Sequence, residues 1–199
     1  MNNILFIQSS LNGEQGNSTK LAQELVTKLS ADHAVKLVER DLAKDSLTHL
    51  TQQEMGAWSI PEKERNQEQR VLASISDGLV DELKASDTLV LAMPMYNFGV
   101  PSTFKAWVDR VARAGVTFKY TDKGPVGLLE NKQVIVVAAR GGSYVGTEKD
   151  SQTQYLKDFF AFLGIQDVRF IYAEGLNMPD GEASFSAAQN KISHFTLSH

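Results

Sequence analysis

No cysteine occurs among the 199 residues. That absence excludes a disulfide scaffold, a thiolate zinc or iron–sulfur site and every cysteine-nucleophile mechanism. The N-terminus carries no basic stretch, and the apolar run at 4–7 is too short for the core of a signal peptide. No apolar run approaches the roughly 20 residues that a membrane-spanning helix needs. Blocks of Lys or Arg are also missing: 20 Lys+Arg face 24 Asp+Glu, a formal net charge of -4. That balance argues against a nucleic-acid backbone as partner. With 42% hydrophobic and 22% charged residues, the composition is that of an ordinary globular protein. A chain of this length buries about 70% of its unfolded surface and needs no metal to hold it together. One soluble, cytoplasmic domain spanning 1–199 is expected.

Five short runs rich in aliphatic and β-branched residues are present, at 4–7, 35–38, 89–93, 134–139 and 168–173. The first, third and fourth are apolar at successive positions, as strands covered on both faces of a parallel sheet must be. Stripes of helical spacing lie between them. These are Leu21, Leu25, Val26 and Leu29; Leu72, Ile75, Leu79, Val80 and Leu83; Phe104, Trp107, Val108 and Val111; and Leu156, Phe159, Phe160 and Leu163. Gly164 is placed to end the last of these helices. Residues 182–199 read as a final amphipathic helix. The alternation of strand and helix specifies an α/β fold, a doubly wound five-stranded parallel sheet with helices on both faces.

Two connections, 43–61 and 115–132, exceed the usual few residues. They hold Met55, Trp58 and Ile60, and Phe118 and Tyr120, where a plain surface loop would be polar. Either they tuck into the core, or they cover a site or a partner.

Ligands of open α/β sheets sit beyond the carboxyl ends of the strands. Three loops occupy that position here. The first runs from Ser9 and Ser10 to Gly16, Asn17, Ser18 and Thr19, offering hydroxyls and helix-start N–H groups to an anion. It lacks both the Gly-x-Gly-x-x-Gly fingerprint and the P-loop spacing, so a single terminal phosphate fits better than a dinucleotide or triphosphate. The competing reading is that Ser18 caps a helix and Ser9 and Ser10 turn the chain. In the second loop Met95, Tyr96, Asn97 and Phe98 stand between Pro94 and Pro101, the latter placed as the first residue of a helix. Stiffened main chain and aromatic side chains suit a flat heteroaromatic ring, though a core turn with buried aromatics has the same composition. In the third, Arg140, Gly141 and Gly142 let main-chain N–H groups approach developing negative charge.

Together, Ser9-Ser10, Gly16-Asn17-Ser18, Met93-Pro94-Met95-Tyr96-Asn97-Phe98, the following Pro-Ser-x-x-Lys-x-Trp-x-Asp and Ala139-Arg140-Gly141-Gly142 resemble the FMN-dependent NADH azoreductases, which are flavodoxin-like, homodimeric quinone reductases. The resemblance implies one FMN per subunit and NADH or NADPH as electron donor. It implies that Ser10, Gly16, Asn17 and Ser18 hold the phosphate, and that Met95, Tyr96, Asn97 and Phe98 lie against the isoalloxazine. Ala139, Arg140, Gly141 and Gly142 would stand near its pyrimidine edge. Phe118, Tyr120 and Phe162 would complete the site across a dimer interface. The reaction implied is a ping-pong, two-electron hydride transfer that converts quinones to hydroquinones and cleaves aromatic azo compounds to amines. The cofactor carries that chemistry, so no catalytic acid or base and no metal is assigned.

A flavodoxin-type FMN electron carrier without a nicotinamide site is the alternative; the aromatic-bearing connections favour a substrate site instead. A serine hydrolase would need Ser9 or Ser10 beside His194, and the sequence supplies no third member of a triad. A phosphoreceiver would need an acidic cluster after the first strand, where Ser9 and Ser10 stand. The four histidines, His33, His49, His194 and His199, fall outside the three loops and read as solvated.

Overall fold

A computed structural model describes residues 2–197. The chain runs through β1 (Asn2–Gln8), α1 (Asn17–Asp32), β2 (Val35–Asp41), α2 (Gln52–Trp58), α3 (Gln67–Ala85), β3 (Thr88–Pro94) and α4 (Ser102–Val111). It continues through β4 (Phe118–Thr121), β5 (Gly124–Gly127), β6 (Gln133–Ala139), α5 (Ser151–Leu163), β7 (Asp167–Ala173) and α6 (Gly181–Ser193). All five expected strands form and pair in parallel in the order β2-β1-β3-β6-β7. This is the flavodoxin-like order, whose switch point lies between β1 and β3.

Burial explains why the strands read as they do. The central β3 is covered along its whole length, whereas the edge strands β2 and β7 are only partly covered. Successive side chains enter opposite layers. Ile4, Phe6, Val90 and Ile135 meet Leu21, Leu25 and Leu29 of α1 and Ile192 of α6 on one face. Leu5, Ile7, Leu91 and Val136 meet Leu83 of α3, Trp107 of α4 and Phe160 of α5 on the other. The helical stripes of α1, α4 and α5 are buried as expected, and Gly164 closes α5 in the left-handed region at φ 101°.

Three expectations need correction. Ile75 is 47% exposed. The inner face of α3 is instead Ala73, Ser76, Leu79, Val80 and Leu83, with the Ser76 hydroxyl donating to the Arg110 carbonyl at 2.6 Å. Pro101 precedes α4 rather than opening it, since its ψ of 143° is extended. The final helix ends at Ser193; Leu197 then tucks back into the core, while Ser198 and His199 lie outside the described residues.

Both long connections contain built elements. Thr51 and Glu54 form a reciprocal capping box that starts α2. Buried arginines then fasten the segment to α4. Arg110 reaches Glu54 Oε1 at 2.7 Å through Nη2 and the Thr48 carbonyl at 2.7 Å through Nη1. Arg113 stacks over the Trp58 ring at 5.3 Å. Burial pushes the Glu54 carboxyl up, but hydrogen bonds from Arg110 and Thr51 outweigh it and hold it below the usual value. The second connection is the β4–β5 hairpin, and it docks on the end of α5. A Cβ on Gly127 would lie 2.0 Å from the Gly164 nitrogen, so only glycine allows that approach.

Candidate functional site

The first loop leaves β1, makes a single 3-10 turn at Gly13–Gln15 and enters α1. Gly16 occupies the N-cap position, and no side chain caps the helix. The reading of Ser18 as the cap is therefore overturned: Ser18 lies inside the first turn. The first intrahelical bond runs from the Lys20 N–H to the Gly16 carbonyl, leaving the N–H groups of Asn17, Ser18 and Thr19 without helical acceptors. The Ser18 hydroxyl is buried and has no partner. A buried hydroxyl left unmatched costs about 1–3 kcal/mol, so the arrangement is built to receive an acceptor. Ser10 packs tightly under this turn, where a Cβ on Gly16 would approach its Oγ to 2.2 Å. Ser9 has a structural task, its buried hydroxyl donating to the Ala92 carbonyl at 2.8 Å.

The second loop is a two-residue hairpin. Tyr96 and Gly99 exchange both main-chain hydrogen bonds, at 3.1 and 2.9 Å. Asn97 and Phe98 between them have φ of 50° and 66°, as a type I′ turn demands. Phe98 is 51% exposed although it is a large aromatic in a strained conformation. The turn is held from below by α5. Gln152, fully buried, donates to the Pro94 and Gly99 carbonyls at 2.8 and 3.1 Å, and the Ser151 hydroxyl donates to the Phe98 carbonyl. Across the top, the Leu11 N–H donates to the Tyr96 hydroxyl at 3.1 Å, which ties this hairpin to the first loop.

The third loop brings main chain but not the Arg140 side chain. That guanidinium is fully buried and turned away, meeting Asp150 at 2.9 Å, Glu174 at 3.0 Å and the Tyr172 ring at 5.0 Å. Burial pushes the Asp150 carboxyl up, and hydrogen bonds from Arg140 and Thr153 more than offset it, so it ionises below its usual value. Gly141 lines the cavity, and a Cβ on it would meet Asn177 Nδ2 at 2.5 Å; Gly142 lies outside that lining, where a Cβ would meet the Tyr144 hydroxyl at 2.7 Å. The Tyr144 ring meets Phe98 edge-on at 5.6 Å.

The three loops converge on one cavity of 280 Å³. Ser10, Gly16, Asn17 and Ser18 form its anion end, with Met95 and Tyr96 on one wall and Ala139, Arg140 and Gly141 on the other. Asn12, Leu176 and Asn177 also line it, and sequence reasoning passed over them. Their only signal was position after a strand, which Leu176 and Asn177 have by following β7. On the far side of the hairpin a second cavity of 730 Å³ is lined by Tyr96, Asn97, His49 and Tyr155. His49 is thus solvated yet beside the ring hairpin. Burial, with Asp109 nearby, pushes the Tyr155 phenol up to about 12, and its hydroxyl has no partner. Phe118, Tyr120 and Phe162 line neither cavity. They form their own cluster, Phe118 lying 4.3 Å from Phe162 and 5.4 Å from Tyr120.

A groove of 920 Å³ along α1 and α6 mixes Lys20, Lys28, Glu24 and Glu39 and shares no residue with the ring hairpin. Among the described residues the hydrolase arrangement is absent. His194 Nδ1 stands 2.8 Å from the Asn190 carbonyl and 3.0 Å from Ser193 Oγ.

Such a fold and cavity define a flavodoxin-like protein with a place for one terminal phosphate and a flat ring. FMN has that chemistry, and the uncapped helix start with the unpartnered Ser18 hydroxyl fits its monoester. The Flavodoxin_2 model, described as the flavodoxin-like fold, matches residues 2–195. Similar curated proteins include an FMN-dependent NADH:quinone oxidoreductase of Alteromonas mediterranea, 54% identical over 198 residues, covering 98% of this chain and 99% of the relative. One from Pseudoalteromonas atlantica is 50% identical over 197 residues, covering 99% and 98%. Among solved structures, an FMN-dependent NADH-azoreductase from Bacillus anthracis in complex with FMN superposes with a TM-score of 0.87 at 25% identity, covering 97% and 96%. The chain belongs to this family of flavodoxin-like, FMN-dependent quinone reductases and azoreductases.

Proposed function

We propose that the chain, acting as one flavin-binding domain over 1–199, takes two electrons from NADH or NADPH and delivers them to quinones and aromatic azo compounds. The observation that carries this reading is the shared cavity, in which an unsatisfied anion cradle and a rigid ring hairpin face each other across main-chain glycines. FMN, when bound, would supply two-electron hydride chemistry in alternating half-reactions.

The protein's own residues do the rest. Ser10, Gly16, Asn17 and Ser18 hold the phosphate with hydroxyls and helix-start N–H groups. Met95 and Tyr96 on the cavity wall, with Asn97 and Phe98 at the hairpin tip beyond its lining, would lie against the ring. Ala139, Gly141 and Gly142 offer main chain to its polar edge, while Arg140 contributes through its backbone and fixes the loop. The working form is a homodimer in which Phe118, Tyr120 and Phe162 serve the partner protomer's site. Tyr120 supports this: it is 74% exposed and lines neither cavity of its own chain.

An anaerobic titration of the FMN-loaded protein tests the reaction. NADH is expected to bleach the flavin band at about 450 nm, and a quinone added afterwards to restore it. A flavin that stays oxidised under NADH would make the protein an electron carrier instead.

A further inference from the structure

The loops that follow β6 and β7 meet on a single carboxylate. Glu174 Oε1 accepts from the Tyr144 N–H at 3.0 Å, from the Val145 N–H at 3.1 Å and from Arg140 Nη1 at 3.0 Å. Its Oε2 lies 3.2 Å from the same Val145 nitrogen. Two of these partners are main-chain groups of the loop that carries Gly141 and Gly142. The same loop is laced to the other on its carbonyl side. Leu176, Asn177 and Gly175 donate their N–H groups to the carbonyls of Arg140, Gly141 and Gly142 at 3.1, 3.0 and 3.0 Å. The buried Arg140 guanidinium is shared between Glu174 and Asp150.

A loop with adjacent glycines loses more conformational freedom on ordering than any other, so its geometry is not self-determined. Bonds from main-chain N–H groups to a carboxylate are about twice as strong as neutral ones, so Glu174 holds the Tyr144 and Val145 N–H groups more firmly than a neutral acceptor would. Once Tyr144 and Val145 are anchored, the Tyr144 ring stands edge-on to Phe98 and its hydroxyl covers Gly142, where a Cβ would lie 2.7 Å away.

We propose that Glu174 is a positioning residue of the flavin site, presetting the 141–145 loop so that its glycines face the ring and Tyr144 closes against Phe98. The proposal rests on the flavin reading given above and goes beyond it. Donors fixed before the ligand arrives add to affinity by lowering the ordering cost, and they set how strongly added negative charge is stabilised.

The test uses Glu174→Ala and Glu174→Gln in the full chain. The readouts are FMN affinity from quenching of flavin fluorescence, the midpoint potential of the bound flavin, and the melting temperature of the apo-protein. Alanine is expected to weaken FMN binding by about tenfold or more and to shift the potential. Glutamine, whose amide oxygen still accepts both N–H groups, is expected to recover affinity to within about threefold. Alanine affinity within about threefold of wild type, with an unmoved potential, overturns the proposal even if the melting temperature falls. Should the alanine variant not fold, Glu174→Asp decides the matter, because it keeps the charge and withdraws the oxygens by one carbon. Weaker binding supports the clamp, and unchanged binding overturns it. Wild-type protein that fails to bind FMN would sink the flavin reading and the clamp with it, whereas binding by wild type and unaltered variants sinks the clamp alone.

Discussion

At the residue scale, the site keeps a conformation that its own sequence disfavours. Asn is among the residue types that enter the positive-φ region readily, but Phe98 at 66° pays for the crowding of its Cβ, a cost of about 1–2 kcal/mol. The Tyr96–Gly99 pair of hydrogen bonds and the Ser151 hydroxyl hold it there. Glycine at that position removes the strain and the ring together. Phe98→Gly is therefore expected to raise the apo-protein's stability in urea by about 1 kcal/mol while loosening FMN. A variant that lost stability and kept full FMN affinity would show that Phe98 belongs to the fold rather than to the ring site. The loop residues Ser10, Gly16, Asn17, Ser18, Met95 and Tyr96 could be picked out from the sequence because each lies just past a strand, where ligands bind. The roles of Gln152 and Glu174 could not, although Glu174 directly follows β7. Both residues act on main-chain groups 29 to 58 residues away, and nothing in their neighbours' spacing marks that reach.

At the element scale, central strands and helix stripes were legible because burial on both faces, or on one, imposes a period on the side chains. The short helix α2 and the β4–β5 hairpin were not, since neither has enough residues to show a period. Their stability comes from elsewhere: α2 depends on its capping box and on two arginines of the α4 region, and the hairpin on the contact of Gly127 with Gly164. The Glu54–Arg110 pair makes α2 sensitive to acid. An unfolded glutamate titrates at about 4.3, and Glu54 ionises below its usual value in the fold. The pair therefore stabilises the native state in full above that unfolded value, and the contribution disappears as pH falls through the lower folded one. Glu54→Gln is expected to cost about 1–3 kcal/mol at pH 7 and to flatten the acid limb of a stability-against-pH curve. Parallel acid limbs for wild type and variant would remove Glu54 from that account.

On the scale of the whole molecule, the aromatic cluster and the cavities occupy separate places on one chain. Phe118 packs under Tyr120 and Phe162, leaving Tyr120, Val126 and Leu128 open to solvent on the hairpin. A twofold dimer would present this surface to the partner's cavity twice, once in each direction. Complementation between two defective chains separates that arrangement from one in which Tyr120 serves its own chain. Gly16→Val drives a side chain into Ser10, whose Oγ would stand 2.2 Å from the new Cβ, and so abolishes the phosphate cradle. Tyr120→Ala leaves the cradle intact and removes the aromatic. Each variant alone is expected to lose most quinone reductase activity. If Tyr120 serves the partner's site, the two variants mixed in equal amounts during refolding would form heterodimers with one intact cradle facing one intact Tyr120. Activity should then return to about one quarter of the wild-type rate, the statistical share for random pairing. If Tyr120 acts within its own chain, no pairing joins an intact cradle to an intact Tyr120, and the mixture stays as inactive as its parts.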